Sequence, residues 1–249
     1  MHVFGRLWLL LAFVAPPVAA DELTPGEHAE FRFVRLAYGS NQLAEYGRGR
    51  RTKWRTDMPE AENHLLQGIS RLTRVEAARE PHAVTALADD LFDYPWLYAV
   101  EVGYWALNED EAARLREYLL RGGFLVVDDF HGTIEWATFI DTLSRVFPDR
   151  PIVEIPEDDE VFHVHFDLDS RIQIPSRMFI YRGVTWERDG YTPHWRGIYD
   201  DDGRLMVVIN FNMDLGDAWE HADWPEYPEN MTALAYRFGI NYLIYSMTH

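Results

Sequence analysis

Residues 122–132 read Gly-Gly-Phe-Leu-Val-Val-Asp-Asp-Phe-His-Gly, and this stretch decides the fold class. Its apolar residues 124–127 have the composition of a strand that is covered on both faces of a sheet. A helix precedes the glycine pair, because Asn108 and Glu111 have the spacing of a capping box and an apolar stripe follows them. Strand, helix and strand therefore alternate around this stretch, which predicts parallel βαβ units.

The same patterns place the other elements. Strands are predicted at residues 31–38, 84–88, 96–102, 152–155, 178–181 and 204–210. Asp57 and Thr133 are predicted N-caps of two further helices, and a last helix is predicted over about 229–246. We expect an α/β fold with a mostly parallel sheet, helices on both faces and an irregular, β-rich C-terminal part.

Two aspartates and a histidine follow the central strand. Asp128, Asp129 and His131 come at its carboxyl end, before a helix, where ligands of open parallel sheets bind. Adjacent acids at this place could ligate a divalent cation, or one of them could act as a general base. The alternative is that one aspartate caps the turn and the other is solvated. We predict these three residues as candidate catalytic residues.

A second polar cluster follows the strand predicted at 204–210. It offers oxygen ligands of the kind that hard cations accept, although an Asx-turn loop explains it equally well. The predicted binding residues are Arg35, Tyr38, Trp54, Asn212, Asp214, Asp217, Trp219 and Glu220. His163, His165 and Asp167 would share one face of a strand, either as a metal face or, more simply, as an exposed face.

Composition excludes several classes of function. The net charge of −18 repels nucleic acid, so no nucleic-acid partner is expected. The chain has no cysteine, which excludes a thiol nucleophile and thiolate metal ligands. Residues 48–55 carry five basic side chains, which form either a solvated loop or a contact for an anion.

The amino terminus has the layout of a secretory signal peptide. Arg6 is followed by an apolar run at 7–14, by two prolines and by Val18-Ala19-Ala20, where small residues suit cleavage. We predict that residues 1–20 are removed and that residues 21–249 form one exported, acidic α/β domain in the periplasm or outside the cell. No later stretch has the length of a membrane-spanning helix, so no transmembrane segment is expected in the mature chain.

Several motifs together resemble one bacterial family, called domain of unknown function 4159. They are residues 54–59, 122–130, 201–205, 212–220 and 241–249, and the resemblance covers about residues 31–249. The family is similar to the class I glutamine amidotransferase-like fold, which implies a flavodoxin-like sheet and a site at the carboxyl end of the central strand. Amidotransferases carry a nucleophilic cysteine there, whereas this chain has Asp128 and Asp129, so hydrolysis of glutamine through a thioester is excluded.

Three hypotheses on function remain. The first is a non-catalytic envelope domain that binds a small ligand or a protein partner, since motifs of known catalytic classes are missing. The second is a metal-dependent hydrolase that uses Asp128 or Asp129, with His131. The third is a glycan-binding module that uses tryptophans and acidic loops.

Overall fold

A computed structural model of the protein describes residues 29–40 and 52–249. The predicted signal peptide and residues 48–51 of the basic run lie outside these residues. The described part contains these strands: Val34–Ala37 (β1), Gly39–Ser40 (β2), His82–Thr85 (β3), Trp96–Val100 (β4), Trp105–Ala106 (β5), Phe124–Asp128 (β6), Val153–Glu154 (β7), His194–Tyr199 (β8) and Leu205–Phe211 (β9). Its α-helices are Glu60–Leu72 (α1), Glu109–Leu120 (α2), Gly132–Val146 (α3), Met178–Arg182 (α4), Leu215–Glu220 (α5) and Glu229–Thr248 (α6).

Seven strands form one sheet in the order β3-β1-β4-β6-β9-β8-β7. The pairs from β3 to β9 are parallel, whereas β8 and β7 extend the sheet in antiparallel fashion. Numbered along the chain, the five parallel strands lie in the order 2-1-3-4-5, which is the flavodoxin-like order. The prediction of a mostly parallel α/β fold is confirmed.

Helices cover both faces of this sheet. Trp96, Tyr98 and Val100 of β4 pack towards α1, α5 and α6, whereas Leu97 and Ala99 pack towards α2 and α3. All five residues of β4 are buried, as expected for a parallel strand between two layers. Among the helices of the described residues, none combines enough length and apolarity to cross a bilayer.

Of the three predicted N-caps, only Asn108 is confirmed. Its side chain accepts from the Glu111 N–H at 3.0 Å, and Glu111 accepts in return from the Asn108 N–H at 2.8 Å. The prediction of Asp57 as an N-cap was wrong, because α1 begins after Pro59 and the backbone of Asp57 is left-handed with φ 65°. The prediction of Thr133 as an N-cap was also wrong. The helix α3 begins at Gly132, and the N–H and hydroxyl groups of Thr133 both donate to the carboxylate of Asp189.

Two strand predictions in the C-terminal half are also wrong. Residues 178–181 belong to the short helix α4, which Gly183 ends in the left-handed conformation at φ 67°. Residues 163–167 form no strand, because the 3₁₀ helix that Asp159 caps is followed there by a turn and bends. His163 and Asp167 still meet, with 3.1 Å between Nδ1 and Oδ1, through this local turn. The antiparallel strand β8 was missed, since its half-exposed residues lack an apolar run.

Candidate functional site

A cleft of about 960 Å³ opens at the carboxyl ends of the parallel strands. Segments that follow β1, β4, β6 and β9 line it. The chain runs from β1 to β3 on one side and then to β4 on the other, so the strand order reverses between β1 and β4. Ligands of open α/β sheets bind at such a reversal, and the cleft therefore has the position of a binding site.

Acidic side chains outnumber basic ones in this cleft. The carboxyl groups that line it are Asp57, Glu101, Asp129, Glu135, Glu187, Asp214, Asp217 and Glu220. The cationic side chains that line it are Lys53, Arg55, Arg177 and Arg188. Lys53 pairs with Glu101 at 2.6 Å and Arg188 with Glu135 at 2.5 Å, so two of the four cationic side chains are already neutralised by ion pairs. The excess of carboxylates makes the local field negative and attractive to cations.

Asp128 lies beneath the cleft and not in its lining. Its Oδ2 atom accepts from the Tyr98 hydroxyl at 2.7 Å and from the N–H groups of Leu215 at 2.8 Å and Gly216 at 3.1 Å. Burial raises the pKa of Asp128 to about 7, against the opposing effect of these hydrogen bonds. This geometry ties β6 to the start of α5, so Asp128 holds the site together; its catalytic role stays a prediction.

Asp129, the next residue, lines the cleft together with His131. Asp129 has a left-handed backbone at φ 50°, and its Oδ1 lies 3.4 Å from Nε2 of His131. Among the described residues, neither ring nitrogen of the buried His131 has a hydrogen-bond partner. Burial lowers the pKa of His131 to about 4, so its imidazole is neutral near pH 7. Burial and neighbouring carboxylates, first Glu101, raise the pKa of Asp129 well above its ordinary value.

Three further aspartates meet on the same wall. Asp57, Asp214 and Asp217 each offer a carboxylate oxygen, and these oxygens lie within 4.8 Å of one another. Asp214 also caps α5, because its Oδ1 accepts from the Asp217 N–H at 2.7 Å. We call these three residues the first cation group, since carboxylate oxygens are the ligands that hard divalent cations prefer.

The pKa values of the first cation group reflect this crowding. Burial, followed by the charge of neighbouring carboxylates, raises the pKa of both Asp57 and Asp214 well above the ordinary value. Burial would also raise the pKa of Asp217, but contact with His221 and the Arg177 N–H lowers it instead. The Oδ2 atom of Asp57 is buried without a hydrogen-bond partner among the described residues.

Arg35 and Tyr38, two predicted binding residues, support the cleft from below. The guanidinium of Arg35 forms a fully buried ion pair with Glu62 and donates to the carbonyls of Trp54 and Thr56. It thereby holds the loop that carries Asp57. The Tyr38 hydroxyl donates to the Val100 carbonyl at 2.6 Å, at the end of β4.

The remaining predicted binding residues divide into two sets. Glu220 lines the cleft, as Asp214 and Asp217 do. Asn212 joins segments, accepting from the Gly132 N–H at 2.9 Å and donating to the Thr192 carbonyl at 2.7 Å. Trp219 is fully buried against Tyr98, and Trp54 is half-buried against the core. The lining contributed by the described residues contains no tryptophan.

Other lining residues were missed at the sequence level. Asp57 was assigned to a helix cap, and Glu101 was not considered although it directly follows β4. The rule that selected Asp129 applies equally to Glu101, because both follow a buried parallel strand. His221, which contacts Asp217 and Glu220, carried no motif at all.

The fold and the cleft define a flavodoxin-like α/β protein with a carboxylate-rich site at the strand reversal. Residues 32–247 match the family described as Domain of unknown function (DUF4159), and the chain belongs to this family. Comparison with curated proteins gives no match. The description of the family names no function, so the site has to be interpreted from its own chemistry.

Proposed function

We propose that this protein is a binding protein that holds a divalent cation in the cleft through Asp57, Asp214 and Asp217. The observation that carries the proposal is the meeting of three carboxylate oxygens within 4.8 Å, together with the buried, unpartnered Oδ2 atom of Asp57. A buried polar atom normally has a partner, and a cation supplies one for Asp57. A cation held there would offer a positive charge in the cleft to a small ligand or to a protein partner.

The titration of the site supports the same proposal. Without a cation, crowded carboxylates such as Asp57 and Asp214 relieve their repulsion by retaining protons, as their raised pKa values indicate. A divalent cation replaces those protons, so its binding releases protons and weakens as the pH falls.

The direct test is thermal unfolding of the purified protein after chelation, with Ca²⁺, Mg²⁺ or Mn²⁺ then added back. A cation at 100 times its Kd stabilises the folded state by about 2.7 kcal/mol. We expect Asp214→Asn to reduce this increase in Tm while it keeps the cap of α5, because asparagine retains the accepting oxygen. The matched control is Asp201→Asn, an exposed carboxylate at the other end of the sheet. If no cation raises the Tm of the wild-type protein, the proposal is wrong.

A metal-dependent hydrolase is the second candidate, and one observation favours it. Asp129 and His131 lie 3.4 Å apart in the lining of the cleft that contains the first cation group, where Asp129, with its raised pKa, would serve as proton donor and the neutral imidazole of His131 as proton acceptor. We expect Asp129→Asn to abolish any turnover found on a hydrolase panel without lowering the Tm. Turnover that survives this substitution would remove Asp129 from the reaction.

Two further proposals rest on the sequence. Export rests on the signal-peptide pattern of residues 1–20, and N-terminal sequencing of the protein from fractionated bacterial cells tests whether cleavage follows Ala20. Glycan binding rests on tryptophans, of which Trp186 and Trp224 are partly exposed. A pull-down with peptidoglycan or another polysaccharide tests that third hypothesis, and a clean negative result would retire it.

A further inference from the structure

Asp217 belongs to two groups of metal-ligating side chains. The first cation group is Asp57, Asp214 and Asp217, and a second cation group consists of Asp217, Glu220 and His221. The donor atoms of the second cation group also lie within 4.8 Å of one another. Its members are spaced i, i+3 and i+4 through α5 and its end, which brings them to one side of the helix.

His221 provides an observation that is independent of the acidic cluster. Its side chain is 3% exposed, and among the described residues its Nε2 atom has no hydrogen-bond partner. This nitrogen nevertheless lies 3.1 Å from Glu220 Oε2 and 3.4 Å from Asp217 Oδ1. Donor atoms bound to one cation at about 2.1 Å lie roughly 3.0–3.4 Å apart, so both distances from Nε2 fit a shared coordination sphere.

We propose that the cleft holds two divalent cations, with the Asp217 carboxylate bridging the first cation group and the second cation group. The proposal rests on the proposed function, because the first cation is the one described above. Two-metal sites place their ions about 3.5–4 Å apart, a separation that one shared carboxylate can span. The first cation group offers oxygen alone, whereas the second adds an imidazole nitrogen, and Mn²⁺ accepts both kinds of ligand.

The plane of the His221 ring is held by a neighbouring ring. It stacks on Trp224 with 4.1 Å between the ring centroids and 29° between the planes. This stacking limits the motion of the ring, which reduces the reorganisation that a cation in the second cation group would require.

The experiment measures Mn²⁺ bound per chain after chelation and equilibrium dialysis, together with the EPR spectrum. We expect two Mn²⁺ ions per wild-type chain and the spectrum of a spin-coupled pair. His221→Phe preserves the stacked ring and removes the nitrogen ligand, so one uncoupled Mn²⁺ should remain. Asp57→Asn should also retain one ion, and Asp217→Ala should lose the coupled pair. The matched control is His163→Phe, which changes a histidine outside the cleft and should still bind two ions.

The outcomes separate this inference from the proposed function. One Mn²⁺ per wild-type chain that Asp57→Asn removes and His221→Phe keeps would overturn the second cation and leave the first. One ion that His221→Phe removes and Asp57→Asn keeps would overturn both the pair and the proposed first cation group. No bound ion in the wild-type protein would overturn both proposals. Circular dichroism of each variant shows whether it is folded, and the conservative His221→Gln repeats the test if His221→Phe is not.

Discussion

The two ends of the central sheet differ in how their charged side chains are paired. At the amino ends of β6 and β9, Arg204 pairs with Asp200 at 3.0 Å and donates to the carbonyls of Leu119 and Gly123. Every charge of that small network has a partner of opposite sign or a carbonyl. At the carboxyl ends of the same strands, carboxylates crowd together, and buried atoms of Asp57 and His131 lack hydrogen-bond partners among the described residues.

This difference assigns a structural role to one end of the sheet and a binding role to the other. Buried polar groups are normally paired, and a cluster of unpaired ones reduces the free energy of unfolding unless a ligand completes it. The amino end therefore has the chemistry of a structural surface, and the carboxyl end has the chemistry of a site. Substitutions at the two ends should differ in size and in their dependence on cations.

The largest effect is expected at Arg35, which supports the carboxyl end from within the core. Arg35→Met leaves the carboxylate of Glu62 buried without its partner, which should lower the free energy of unfolding by about 3–5 kcal/mol. The double variant Arg35→Met/Glu62→Met removes both charges and should recover most of that loss in urea unfolding. It should not recover cation binding, because the loop that carries Asp57 has lost its two hydrogen bonds from Arg35. Full recovery of both properties would show that Arg35 does not position the loop.

The next effect distinguishes two adjacent residues, Asp128 and Asp129. Asp128→Ala leaves three donors without an acceptor and should lower the free energy of unfolding by about 2–4 kcal/mol. Asp128→Asn should keep most of this stability, since the amide oxygen of asparagine can still accept hydrogen bonds. Asp129→Asn should leave the urea midpoint unchanged or raise it, because asparagine tolerates φ 50° and removes an ionisable group that is costly to bury. Equal losses for Asp128→Ala and Asp129→Asn would mean that both aspartates are structural.

The strand pattern predicted the fold well, because apolar strands and a capping box are local signals. The same pattern identified Asp129 and Asp214, each of which follows a buried strand. It could not show that Asp128 faces away from the cleft, because neighbouring residues point to opposite sides and tertiary packing decides which side is open.

The site residues that sequence analysis did not identify owe their positions to contacts between distant segments. Asp57 matched a capping box in sequence, yet Pro59 shifts the start of α1 and frees the carboxylate for the cleft. The approach of Asp57 to Asp214 requires the segment at residues 52–59 to meet the segment that follows β9, which no local pattern encodes. His221 acquires its place through its stacking on Trp224, which is also invisible in the sequence.

A smaller effect should appear when the pH is changed. Burial raises the pKa of Asp57, Asp129 and Asp214 in the folded state above that of the unfolded chain, so the free energy of unfolding should fall as the pH rises. The contribution of each carboxyl with a raised pKa approaches about 1.4 kcal/mol per pH unit between its unfolded and folded pKa values, and for Asp128, whose folded pKa is about 7, it ends near pH 7. His131 opposes this trend only below about pH 6.5, where the unfolded imidazole gains a proton. Urea unfolding with chelator measures the slope, and saturating Mn²⁺ should flatten it. An unchanged slope with Mn²⁺ would mean that Asp57 and Asp214 do not bind the cation.

The smallest effect is expected at the exposed pair of Arg150 and Asp201, on the amino-end side of the sheet. Its two parallel hydrogen bonds are both 3.0 Å long, but Asp201 is 89% exposed, so water and salt screen the attraction. Asp201→Asn should leave the urea midpoint and the Mn²⁺-dependent rise in Tm within error of the wild-type values. A loss in stability as large as that of Asp128→Ala would show that the amino end is also under electrostatic strain. The contrast between the two ends of the sheet would then fail, because crowded charge would no longer distinguish the site from the rest of the surface.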